Sequence, residues 1–141
     1  MSNLLRCGAL ATFLFVASAA SAADPATSQH YRAKQVIGTK IMLKGDNNSV
    51  GTVDDLVFDD GGNLEYLIVD NGGKLVTVPF EAANFDIQKK VAILSVNADQ
   101  YKLIPTYTTT TYPSFYTPAY RTDIYKQYDL TPRDLRVLRR R

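Results

Sequence analysis

The 141-residue sequence has no tryptophan, a single cysteine, a single histidine and two glutamates. Each scarcity removes a kind of chemistry. Cys7 lies ahead of an N-terminal apolar run, so a chain that loses that segment carries no thiol. Disulfides, thiolate catalysis and iron–sulfur ligation are then excluded. His30 stands in a polar stretch, DPATSQHYRA, with no second histidine or retained cysteine to share a metal ion. It is equally poorly placed to activate a serine. A general acid needs a carboxyl group desolvated in a cleft, yet Glu65 reads as strand surface and Glu81 as the first turn of a helix. Gly61-Gly62 and Gly72-Gly73 sit where hairpins turn, not where a phosphate loop would open a helix. The formal charge of +2 lacks the basic excess of a nucleic-acid binder. The chain is therefore expected to be no enzyme, to hold no cofactor or metal, and to bind no nucleic acid.

What is present begins with an export signal. Arg6 supplies the positive start, LATFLFVASAA (residues 10–20) the apolar run, and Ala20 to Ala23 the small residues before a cleavage point. Residues 1–23 are read as a signal peptide that is removed, which makes the mature protein periplasmic or extracellular. The alternative is a retained N-terminal anchor, for which the apolar run is short. Residues 24–33 form a polar linker.

Residues 34–104 read as one small β domain. The chain is organised around VGTVDDLVFDDGGNLEYLIVDNGGKLVTVPF, from Val50 to Phe80. Asp59 to Asn63 and Asn71 to Gly73 are turn clusters, because glycine and asparagine accept positive φ and aspartate caps its own backbone. They divide the stretch into three strands. The imperfect alternation near Gly51 points to a bulge. Leu64 to Val69 is apolar on both faces, the mark of a central strand or one covered from outside. Thr39–Leu43, Asn84–Gln88 and Val91–Val96 add three more strands, Glu81–Asn84 a helical turn, and Asn97–Ile104 a short helix with an N-cap. Six short strands with tight turns imply a small, closed or nearly closed, six-stranded antiparallel β-barrel with short helical turns. Its expected core is Ile37, Ile41, Val50, Val53, Leu56, Phe58, Tyr66, Ile68, Val76, Val78, Phe80, Phe85, Ile87, Ile93 and Val96.

Four motifs in order resemble the PRC-barrel family, from Ala33 to about Leu103. They are Ile37-Gly38 at the first strand, VGTVDDLVFD at residues 50–59, Tyr66-Leu67-Ile68-Val69, and VTVPFEA at residues 76–82. The last is similar to the family's V-P-W-E-A ending, with Phe80 in place of the usual tryptophan. The resemblance implies an interaction module without a shared catalytic set. Such barrels occur in the cytoplasmic part of the photosynthetic reaction-centre H subunit and in a ribosome-maturation factor that binds a small-subunit protein. An export signal fits neither setting, which leaves a stand-alone, exported member.

Beyond the barrel, residues 105–141 form an irregular tail rich in tyrosine, threonine and proline. Tyr107, Tyr112, Tyr116 and Tyr120 recur every four or five residues, while Pro113 and Pro118 interrupt a helix. The plain reading is a flexible or polyproline-like extension. The sharper one is an arm whose rings dock on a barrel, its own or a neighbour's. The chain ends with Arg133, Arg136, Arg139, Arg140 and Arg141, in a stretch where Thr131 and Pro132 read as a helix start. Residues 34–104 hold seven Lys against ten Asp and Glu, a formal −3; residues 105–141 hold one Lys and six Arg against three Asp, a formal +4. These tyrosines and arginines are the candidate partner-binding residues. The partner is a protein not named by the sequence or a second copy, with an anionic membrane surface as the alternative. Asp54, Asp55, Asp59 and Asp60 are the densest acidic cluster. They lack the spacing of a calcium loop and read as a solvated strand and turn.

Overall fold

A computed structural model describes residues 30–46 and 48–132. The export segment lies outside them, as do Arg133, Arg136, Arg139, Arg140, Arg141 and the basic helix expected there.

The elements in order are α1 (Ala33–Val36), β1 (Lys40–Leu43), β2 (Ser49–Phe58), β3 (Leu64–Asn71), β4 (Lys74–Pro79), a 3-10 turn (Phe80–Ala82), β5 (Ala83–Asp86), β6 (Val91–Leu94), α2 (Ala98–Lys102), β7 (Thr106–Tyr107) and α3 (Pro118–Gln127). The turn chemistry sets the hairpins. Asp59 accepts from the Asn63 backbone N–H at 2.8 Å, closing β2–β3. Asp70 accepts from the Gly73 N–H at 2.8 Å, closing β3–β4. Asn97 caps α2 through the N–H groups of Asp99 and Gln100.

The strands form one sheet in the order β5-β6-β1-β2-β3-β4-β7. It is mainly β, but it corrects the expected six-stranded antiparallel closure in three ways. There are seven strands, β1 pairs β6 in parallel, and β5 and β7 are free ends of the hydrogen-bonded order among the described residues. The parallel pair has a geometric consequence. Because β1 runs beside β6 in the same direction, and each other neighbouring pair is antiparallel, β4 and β5 must also run the same way. The three-residue turn between them is therefore a corner, not a hairpin. Yet it joins β4 to β5, which stand near opposite ends of the sheet. Three residues reach only about 10 Å, so the sheet curls until its ends meet across the corner. The curl comes from chain connection where a closed barrel would use a ladder.

Two irregularities aim the side chains. Val53 faces Val69 and Asp55 faces Ile68, so Asp54 is an extra residue in β2. Val57 faces Tyr66 and Phe58 faces Leu64, so Glu65 is an extra residue in β3. The bulge expected near Gly51 is present, with Ile41 facing Gly51 and Met42 facing Ser49. Gly51 adopts φ 153, and a Cβ there would lie 2.5 Å from the Asp70 carbonyl oxygen. Only glycine allows β2 to pass so close to β3.

The core collects Ile41, Leu43, Val53, Leu67, Val69, Val76, Val78, Ala92, Leu94 and Val96. Three expected core residues are instead exposed: Ile37 at 41%, Phe58 at 47% and Ile93 at 49%. For Ile93 the cause is register, since Ile41 faces Ala92 and Leu43 faces Leu94, which sends Ile93 outward beside Met42. For Ile37 it is the end of α1, which turns Val36 inward instead. Phe58 stands at the last position of β2, next to the Glu65 bulge.

Candidate functional site

The tail, expected to be irregular, carries a short strand and a helix within its described length. β7 pairs with β4, Leu75 facing Tyr107 and Val76 facing Thr106, and so adds a strand to the sheet. Thr117 and Pro118 then start α3, with proline in the first turn where its missing N–H costs nothing. β7 extends the sheet beyond β4, while α3 and Phe115 before it pack on the outer face of β3 and β4, where Tyr66 faces Pro79 and Ile68 faces Thr77. This is why β3 is apolar on both faces: Leu67 and Val69 meet the core, while Tyr66 and Ile68 are sealed from outside.

Three polar anchors hold the tail. Glu65, thrown out of alternation by its bulge, is 4% exposed and accepts from Arg121 Nε at 2.6 Å and from the Tyr125 hydroxyl at 2.9 Å. The expectation that Glu65 lies on a strand surface is thereby corrected. Arg121 also lies over the Tyr125 ring at 5.4 Å from its centroid. Burial alone would lower the Arg121 pKa, but the hydrogen bond and charge of Glu65 outweigh it and hold the guanidinium above its ordinary value. The second anchor is Thr77, fully buried, whose hydroxyl meets Tyr107 Oη at 2.9 Å and accepts from the Tyr120 hydroxyl at 2.8 Å. The third is the Tyr128 hydroxyl, which donates to the Thr77 carbonyl oxygen at 3.0 Å.

Rings complete the joint. Tyr66 has its centroid 6.1 Å from Phe115, 6.5 Å from Tyr120 and 6.2 Å from Tyr125. Burial pushes the phenols up. Tyr125 rises to about 12, through burial first and then through its bond to Glu65. Tyr66, Tyr107, Tyr120 and Tyr128 are raised for the same leading reason. The hydroxyl of Tyr66 is buried and has no hydrogen-bond partner among the described residues.

The four expected tyrosines divide into two pairs. Tyr107 and Tyr120 are half-buried in the joint, whereas Tyr112 is 45% exposed and Tyr116 is 68% exposed. Tyr116 is nonetheless held, its hydroxyl donating to the Phe58 carbonyl oxygen at 3.3 Å. The docking arm is thus one that docks on its own barrel. Sequence reading missed Glu65, Thr77, Phe115, Arg121, Tyr125 and Tyr128. One signal could have found some of them: Arg121, Tyr125 and Tyr128 follow at spacings of four and three, one face of a helix.

The acidic cluster is dispersed. Asp54 and Asp55 are exposed on β2, Asp55 capping the Leu56 N–H at 2.7 Å, and Asp59 is engaged by Asn63. No three of the described His, Cys, Asp and Glu side chains converge as metal ligands would.

Compared with known proteins, residues 29–101 match the family model described as the PRC-barrel domain. No curated protein matches. Among solved structures the chain is similar to a protein described as a 16S ribosomal RNA processing protein, RimM, from Pseudomonas aeruginosa, at 20% identity and a TM-score of 0.39. The likeness covers 53% of this chain and 49% of that one, so the chain spans about half the length of the protein it matches.

Proposed function

The chain belongs to the PRC-barrel domain family, and from that premise we propose that it is an exported, non-catalytic module that works through protein contact or assembly. The observation that carries the reading is how the buried polar groups are used. Glu65, Arg121, Tyr125, Thr77 and Tyr128 bind one another across the barrel–tail joint. They make a scaffold, and their polar atoms are engaged with one another in holding the tail on the sheet. The scaffold presents Tyr112 and Tyr116 on its surface, and in the sequence the arginines at 133–141 follow it.

Export rests on residues 1–23. N-terminal sequencing of the chain recovered from an exporting cell should begin at about Asp24, and an intact Met1 in the cytoplasm would overturn it. Assembly is tested by light scattering on the mature chain. A dimer or larger species that survives high salt supports contact through aromatic surface. A second reading is favoured by the five arginines in the last nine residues: the basic end holds the protein on an anionic envelope surface. In that case the chain is a monomer that sediments with anionic vesicles and is released as salt screens the charges.

A further inference from the structure

The tail crosses the tip of the β2–β3 hairpin, and a cavity of about 70 Å³ lies between them. From its lining we propose that this notch is a binding site for one cationic side chain, an arginine or lysine presented by a partner protein. The inference rests on the interaction-module reading only in taking the partner to be a protein.

Size comes first. Pockets for drug-sized ligands run to roughly 300–1,000 Å³, so this one admits a single headgroup and excludes a nucleotide or a sugar. Charge decides the sign. The lining carries the carboxylates of Asp59, Asp60 and Glu65 against the one guanidinium of Arg121. Arg121 is drawn onto Glu65 at 2.6 Å, so an incoming anion would meet carboxylates whose countercharge is already engaged. The walls then choose between kinds of cation. Tyr66, Phe115 and Tyr116 line the same space. Ring faces attract alkylammonium and guanidinium groups, whereas a hydrated metal ion asks for converging oxygens.

The mouth is built for contact with a larger body. Tyr116, exposed by 68%, lines it, and its hydroxyl donates to the backbone carbonyl of Phe58 at 3.3 Å. An exposed ring tethered beside an acidic notch suits an anchor residue with apolar surface around it.

The test uses the full mature chain, amide NMR and two probes, N-acetyl-arginine amide and its neutral isostere N-acetyl-citrulline amide. The expected result is saturable shifts at Gly61, Gly62, Phe115 and Tyr116 with the arginine probe alone. Asp60→Asn and Tyr116→Ala should each weaken binding about fivefold, while Tyr116→Phe keeps the ring and the affinity. Both variants change exposed positions, and unaltered melting curves would show that they fold. Equal shifts from the two probes, shifts spread evenly over Asp54, Asp86 and Asp99, or no effect of Asp60→Asn would each overturn the site. Replacing Arg139, Arg140 and Arg141 together by Gln asks whether the chain's own end is the occupant. Tighter probe binding in that variant would show a competing arginine of this chain in the notch, which supports the site. A silent notch in a chain that light scattering shows to be a dimer sinks the notch and leaves the assembly reading intact.

Discussion

The outer face of the sheet has two halves made from similar strands and finished differently. On β3 and β4 the outward residues Tyr66, Ile68, Leu75 and Thr77 are at most 2% exposed, on the face where α3 and Phe115 before it pack. On β1 and β6 the outward residues are Met42 and Ile93, and Ile93 is 49% exposed. An isoleucine on a strand is thus sealed in one half and half in water in the other. What differs is whether a further piece of chain arrives. The tail reaches one half, fixes itself there with three polar anchors, and leaves the other as surface.

The sharpest way to break the difference is alkali, which acts on the covered half. The Tyr125 pKa stands at about 12, raised by burial and by Glu65, against an ordinary value near 10. A folded-state value above the unfolded one means that stability is fully present below about pH 10 and is lost as pH rises through about 12. Tyr66, Tyr107, Tyr120 and Tyr128 shift in the same direction. Loss of near-ultraviolet circular dichroism and growth of phenolate absorbance from these five rings should therefore coincide, in one cooperative step above pH 10. Gradual titration of these five rings with the dichroism intact would mean that the joint is open to water.

Next in size is Arg121→Ala. It strands the Glu65 carboxylate in a site where its residue is 4% exposed. Removing one partner of a buried pair costs about 3–5 kcal/mol, and the lower end applies because the Arg121 side chain keeps 16% exposure. Urea unfolding measures it. The double variant Glu65→Leu, Arg121→Met should recover most of the loss, since no charge is left unpaired. If the two losses simply added, the pair would not be coupled and the first anchor would fail.

A smaller but cleaner contrast is Ile68→Ala against Ile93→Ala. The first opens a cavity at a fully buried position and should cost about 2–4 kcal/mol. The second trims an exposed side chain and should stay within about 0.5 kcal/mol. Equal losses would mean that something covers the β1–β6 half in solution.

These residues also mark where sequence reading succeeds and where it stops. The hairpins were legible because their causes are local: Asp59 bonds Asn63 and Asp70 bonds Gly73, within four residues. The helix after Asn97 was legible for the same reason. Family membership was legible too, because it sits in four ordered motifs between Ile37 and Ala82. The parallel pairing of β1 with β6 was not, because it joins Lys40 to Val91 across the whole meander. Ile93 was placed in the core on hydrophobicity alone, while the inward place went to Ala92, which faces Ile41. Glu65 looked like surface because one extra residue in a strand reverses every assignment beyond it. The tail was hardest. Its tyrosines stood out, but whether rings spaced four or five residues apart dock or wave in solvent depends on a matching face. That face was visible only as a strand apolar on both sides.

The smallest effect isolates one anchor. The Tyr128 hydroxyl donates to the Thr77 carbonyl at 3.0 Å, and Tyr128 is 1% exposed. Tyr128→Phe keeps the ring and its packing and removes the donor alone, so it should cost about 1 kcal/mol. Tyr112→Phe is the matched control on the same tail, because Tyr112 is 45% exposed and its hydroxyl can return to water. Its cost should lie near zero. The Tyr128 variant should also speed amide exchange in β4 and α3 together, since Thr77 belongs to one and Tyr128 follows the other. Faster exchange confined to α3 would say that the helix frays independently and that Thr77 does not tie it to the sheet.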